Sequence, residues 1–173
     1  MVSQPFYPAV ESKEGLEEIR GQMISAMKRY NLKELAGPQV GVNLQFVVVQ
    51  LRFGTFLELI NPKITRMYGL EEEEIEGCIS VPPHDNRCPV RRMKTIHIRA
   101  SHLSDINRYS DLVFEGPDAR VIQHALDHLE GTFFLHRASI RDRHIVTRRF
   151  EEWRDKRRQQ RAQEKEKECQ LQR

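Results

Sequence analysis

Val121-Ile122-Gln123-His124-Ala125-Leu126-Asp127-His128-Leu129-Glu130-Gly131 is the stretch on which the reading of this chain turns. Val121, Ile122, Ala125, Leu126 and Leu129 recur at the helical period, which predicts a helix with a broad buried stripe. Asp118 is placed to cap its start and Gly131 to stop it. His124 and His128 are four residues apart, so a helix puts both rings on one face, close enough to share a metal ion. Such a helix usually reads His-Glu-x-x-His, the glutamate acting as general base for metal-bound water. Here Ala125 holds that position. Two readings stay open on this pattern alone: a metal-binding pair, or two histidines hydrogen-bonded within the core.

Upstream, Leu16, Ile19, Met23, Ala26 and Met27 repeat at helical spacing. Glu14, Glu17 and Glu18 at the start and Lys28 and Arg29 at the end suit the helix dipole, predicting a core-packing helix from Lys13 to Tyr30. Pro5 and Pro8 predict an irregular stretch before it. Leu35 to Gly41, with Gly37, Pro38 and Gly41, reads as a shaped loop or a short strand with tight turns. Phe46–Leu51 and Thr55–Ile60 are β-rich runs joined by an Arg52-Phe53-Gly54 hairpin turn. Asn61-Pro62 is expected to end the second run, Lys63–Tyr68 to form a further strand, and Glu71, Glu72, Glu73 and Glu74 a solvated loop. Prolines 82, 83 and 89 predict irregular chain, Thr95–Ala100 alternates like a half-buried strand, Asp105–Tyr109 reads as a turn, and Asp111–Phe114 as a short strand. Ser139–Arg143 reads as a polar turn.

A length of 173 residues suits a soluble globular chain with a real core, and no apolar run reaches the ~20 residues a membrane span needs. The N-terminus shows no secretory pattern. Cys78, Cys88 and Cys169 are an odd, scattered set, which argues for a reducing compartment, the cytoplasm or an organellar matrix, and against a disulfide framework. Residues 148–173 carry ten Lys or Arg against six Asp or Glu, so the basic excess of this +3 chain lies in its tail. That composition predicts a solvated helix packed at its start by Phe150 and Trp153. The division expected is 1–147 for the metal-binding body and 148–173 for the basic tail. Arg148, Arg149, Arg154, Lys156, Arg157, Arg158 and Arg161 are candidates for phosphate contacts with RNA, or are simply a solvated face balanced by Glu164, Glu166 and Glu168.

A stable metal site needs a third ligand, and a catalytic one keeps a fourth position open. Cys78 is the best candidate: it follows Gly77 in an apolar segment, whereas Cys88 sits among prolines and arginines and Cys169 in the tail.

Three stretches together resemble the peptide deformylases, metal-dependent hydrolases that remove the formyl group from N-terminal methionine. They are Leu35-Ala36-Gly37-Pro38-Gln39, Glu76-Gly77-Cys78-Ile79-Ser80 and Gln123-His124-Ala125-Leu126-Asp127-His128, with Leu59-Ile60-Asn61-Pro62 between the first two. The resemblance spans Leu16 to Ser139. It implies an α+β fold of antiparallel strands around the histidine helix, followed by a C-terminal helix. It also implies one divalent ion, Fe2+ or Zn2+ or Ni2+ in its place, on Cys78, His124 and His128. By the same resemblance the Gln39 amide and the Ile79 backbone N–H stabilise the oxyanion when activated water attacks a formyl carbon. Glu34, Leu35, Ala36, Gly37 and Gly77 then line the cleft for a formylated peptide, Asp127 is structural, and the C-terminal helix is a candidate for ribosome docking.

The chain departs from the family at Ala125, where a proton-carrying glutamate is expected, and at Glu34, where the family has glycine. Ala125 leaves deformylation weak or altered. A long carboxylate at Glu34 narrows the cleft or repels a ligand. An engineered replacement, a divergent enzyme and a pseudo-enzyme kept for binding all account for Ala125, and drift at Lys33 and Glu34 ranks divergence first. Neither Asp127 nor Glu130 is placed to replace the missing base.

Overall fold

Strand β2 (Phe46–Gln50) is apolar at four successive positions because both of its faces are covered. Val47 and Val49 join Ala36, Leu59, Ile96, Ile98 and Ala100 in one core cluster, while Phe46 and Val48 join Leu35 and Ile60 in another. Helix α1 (Lys13–Tyr30) supplies Leu16, Met23 and Met27 to the second cluster. Helix α2 (Gly116–Leu129) supplies Ala119, Ile122, Ala125, Leu126 and Leu129 to the first.

The computed structural model describes residues 13–83 and 85–171. The irregular stretch expected before Lys13 lies outside them. The sheet has five strands in the order β1-β2-β3-β4-β5, with β1 Glu34–Ala36, β3 Phe56–Gly77, β4 Arg87–His102 and β5 Asp105–Glu115. β1 with β2, β2 with β3, and β4 with β5 pair antiparallel. A short 3-10 turn, Gly37–Val40, follows β1. Antiparallel strands, the histidine helix and a terminal helix are the α+β arrangement expected.

The described residues fall into two compact units, 13–72 with 91–133 and 73–90 with 134–171. The first holds both clusters above. The second has its own core of Val81, Cys88, Val90, Phe134, Ala138 and Val146, with Cys78 and Leu135 packed against it. Within it Asn86 donates from Nδ2 to the Val146 carbonyl at 3.1 Å.

Several expectations about elements need correction. β3 does not stop at Asn61-Pro62: Asn61 takes a left-handed φ of 50°, which asparagine tolerates, and the strand runs on through the glutamates to Gly77. Glu71–Glu74 are therefore on a strand rather than a loop, Glu72 pairs with Lys94 at 3.1 Å, and Glu76 is buried. β4 begins at Arg87 and includes Pro89, and Asp105–Tyr109 opens β5. Ser139–Arg143 is the start of helix α3 (Ile140–Leu171). The Ser139 hydroxyl accepts the Asp142 N–H at 3.1 Å, as an N-cap does. Phe150 and Trp153 stack on α3 with ring centroids 6.2 Å apart, and residues 155–170 are exposed.

Gly37 cannot carry a side chain: a Cβ there would lie 2.7 Å from the Leu44 carbonyl oxygen and 2.8 Å from that of Val42. Gly37→Ala is expected to lower stability by about 1–3 kcal/mol, as forced overpacking does. Urea unfolding checks this, and an unchanged midpoint would show that the backbone yields there.

Candidate metal centre

Helix α2 buries nine of its fourteen residues, among them the polar Gln123, His124, Asp127 and His128. Buried polar groups need partners. Gln123 donates from Nε2 to the Met93 carbonyl at 2.9 Å and to the Ala119 carbonyl at 3.1 Å. Asp127 accepts from Arg92 at 2.9 Å, and the two side chains are 4% and 1% exposed. This is the structural role expected for Asp127, and it turns the carboxylate to a guanidinium. Arg92 was not singled out by the sequence; the only signal for it is its position on a strand that faces the helix.

The start of α2 differs in detail from expectation. The N-cap is Glu115, and Asp118 lies in the first turn, where it accepts from the Arg52 backbone N–H at 2.9 Å and pairs with the Arg52 side chain at 3.2 Å. Gly131, at φ 67°, follows the helix end as expected.

The spacing of His124 and His128 brings their rings to 5.1 Å between centroids, inclined at 61°. Phe133 meets the His128 ring edge to face at 5.9 Å. The third group is Glu34. In β1, Glu34 and Ala36 share a face by strand alternation, and Ala36 belongs to the cluster that packs on α2. Glu34 therefore projects toward the histidine helix. Its Oε1 lies 3.7 Å from His124 Nε2 and 3.8 Å from His128 Nε2. The three ligand atoms lie within 4.8 Å of one another. Two imidazoles and a carboxylate oxygen at that spacing are a donor set suited to a divalent ion such as zinc or iron. Sequence reasoning placed Glu34 along a cleft; its reach to the histidines was not anticipated.

Ala125 is fully buried in the apolar cluster. Gln39 lies in the 3-10 turn, and its Oε1 accepts the Ala36 N–H at 2.8 Å. That bond orients the amide, with its oxygen committed to the backbone and its NH2 as the donor end. Leu35, Ala36 and Gly37 are buried beside it.

Gly77, Cys78 and Ile79 belong to the second unit. A Cβ on Gly77 would lie 2.8 Å from Arg87 Cγ. The Ser80 backbone N–H donates to Cys78 Sγ at 3.4 Å. Ile79 is 39% exposed. Cys88, by contrast, is 3% exposed, and burial, with Asp142 and Glu76 adding, pushes its thiol up to about 11. It is a core thiol rather than a nucleophile or ligand.

Asp127→Ala removes the carboxylate that faces the buried Arg92 and is expected to cost about 3–5 kcal/mol. Replacing both residues, as Asp127→Ala with Arg92→Met, is expected to cost less than the single change. Urea titration of the two variants checks this, and additive losses would contradict a coupled pair.

The sequence is similar to known proteins over most of its length. The family model described as polypeptide deformylase matches residues 2–144. A peptide deformylase of Acidobacterium capsulatum is 33% identical over 154 residues, covering 87% of this chain and 88% of its own. One from Dictyoglomus thermophilum is 41% identical over 125 residues, covering 72% and 78%. Among solved structures, a Synechococcus elongatus peptide deformylase in complex with actinonin superposes with a TM-score of 0.73 at 32% identity, covering 82% of this chain and 75% of that one. The Legionella pneumophila enzyme gives 0.77 at 26% identity, covering 91% and 89%. On the family match, the relatives and the shared fold, the chain belongs to the peptide deformylase family.

Proposed function

We propose that this protein is a divergent deformylase that hydrolyses the N-formyl group of formyl-Met peptides slowly. The observation that carries the reading is the clustering of His124 and His128 on one face of α2 in a chain of this family, beside a fully buried Ala125. Cys78 is the proposed third ligand. Its motif Glu76-Gly77-Cys78-Ile79-Ser80 matches the family's, and its sulfur accepts the Ser80 N–H. Cys88 is a buried, protonated thiol and Cys169 sits on the exposed end of α3. Fe2+, Zn2+ or Ni2+ fits this donor set.

When bound, such an ion supplies Lewis acidity and activates water at neutral pH. The chain's own residues do the rest. The Gln39 amide, held by the Ala36 N–H, donates to the formyl oxygen as negative charge develops there, and the Ile79 backbone N–H donates beside it. Leu35, Ala36, Gly37 and Gly77 line the peptide. Ala125 neither takes a proton nor delivers one to the leaving amine. General acid–base groups contribute typically ~10²–10⁴ in rate, and that is the deficit expected.

A second reading, a non-catalytic protein that keeps the metal for structure and binds RNA or the ribosome, is favoured by the exposed basic residues of α3. Formate release from a formyl-Met peptide separates the two. The metal-loaded protein is expected to turn over ~10²–10⁴ more slowly than an active family member, and Gln39→Leu to lower that rate a further ~10²-fold. Release at the full family rate would contradict the role given to Ala125. No release from metal-loaded protein would leave the second reading.

A further inference from the structure

The position of Glu34 has a consequence beyond slow turnover. Its Oε1 is almost equidistant from two imidazole nitrogens, at 3.7 and 3.8 Å. Those distances are too long for hydrogen bonds. They are close to the spacing of neighbouring donors around one ion: ligands at ~2.0–2.1 Å in a tetrahedral shell sit roughly 3.3 Å apart. Small rotations about the side-chain torsions of Glu34 and the two histidines close the difference.

The placement is built into the fold. The register Glu34↔Val49, Leu35↔Val48, Ala36↔Val47 fixes which face of β1 each residue takes. Glu34 shares its face with Ala36, which packs in the α2 cluster, and its side chain is only 11% exposed. Shifting the register by a single residue would turn the carboxylate to the opposite face. Just before the strand, the Lys33 carbonyl accepts the Gln50 N–H at 2.8 Å and Lys33 Nζ donates to Gln50 Oε1 at 3.1 Å.

We propose that Glu34 is a protein ligand of the ion at His124 and His128, entering from strand β1. Taken with the assignment of Cys78 above, on which the full ligand count rests, the shell is Glu34, Cys78, His124 and His128. That is a closed shell of four protein donors, the mark of a structural site, rather than three donors with a position open to solvent. Turnover then requires the carboxylate to leave the ion. Glu34 is thus a built-in occluder of the reaction site, and the chain has lost the carboxylate at position 125 while gaining one at position 34.

Cobalt-substituted protein tests this, with azide as the probe for an open coordination position. The d–d absorption of the wild-type Co2+ protein is expected to stay unchanged on adding azide, whereas Glu34→Ala and Glu34→Gln are expected to show an azide-dependent shift. Co2+ affinity is expected to fall by roughly 10-fold or more in both variants, at least the loss seen when supporting groups of metal sites are removed. The glutamine variant keeps the side-chain shape, so loss of folding in the alanine variant does not remove the test. An equal azide response in wild type and variants would overturn the proposal. The Cys78 assignment is read separately, from the near-ultraviolet thiolate-to-cobalt charge-transfer band and its loss in Cys78→Ser. A band present in a wild-type protein that binds azide would defeat the role of Glu34 alone. An azide-resistant protein lacking the band would defeat Cys78 alone.

Discussion

Everything around the candidate centre follows from a helix that buries four polar side chains along its length. Helix α2 lies against the sheet with nine residues buried, and desolvating a polar group without a partner costs about 1–3 kcal/mol. Strands meet two of these groups directly, Gln123 through the Met93 carbonyl and Asp127 through Arg92, and Glu34 of β1 stands 3.7 and 3.8 Å from the two imidazoles. The apolar residues between them, from Ala119 to Leu129, lock the helix into the cluster built by β2, β3 and β4. The histidines are therefore positioned by packing that owes nothing to a metal. A site supported this way is preorganised, since the side chains that would hold an ion have little freedom left to lose.

The chemistry of the centre is set by where carboxylates stand. A carboxylate one residue after His124 would lie beside the reacting atoms and carry protons. Ala125 instead completes an apolar surface at that point. The carboxylate at Glu34 approaches from the strand, level with both imidazole nitrogens. In the proposed centre, a group so close to the imidazole nitrogens competes for the ion instead of serving a water molecule attached to it. Gln39, by contrast, has its amide oriented by the Ala36 N–H, which its oxygen accepts.

Much of this was legible in the residues, for reasons that differ by element. The helix Lys13–Tyr30 was readable because its apolar spacing and its terminal charges agree, and the structure gives it the same bounds. The hairpin at Arg52-Phe53-Gly54 was readable because Gly54 takes the left-handed conformation its turn requires. Lys63–Tyr68 was readable as a strand, but the run of β3 on through Glu71–Glu74 to Gly77 was not, because four successive carboxylates leave no alternation to detect. At the start of α3 the polar composition resembles a turn, but Ser139 and Asp142 form a capping pair, and that spacing is the sequence's signal for a helix start. Within the candidate centre the histidine pair was evident from spacing alone. The part played by Glu34 was not, since it depends on which face of a three-residue strand meets α2, and that is decided by pairing with β2 rather than by any local pattern.

The central claim is that the buried face of α2 is a metal site and not merely a hydrogen-bonded pair of core histidines. The most direct measurement is the divalent-metal content of the protein as purified, set beside that of a His128→Ala variant shown to be folded. The account predicts about one ion per chain in the wild type, lost in the variant. A folded wild-type protein without stoichiometric metal, or a variant that keeps it, would contradict the account.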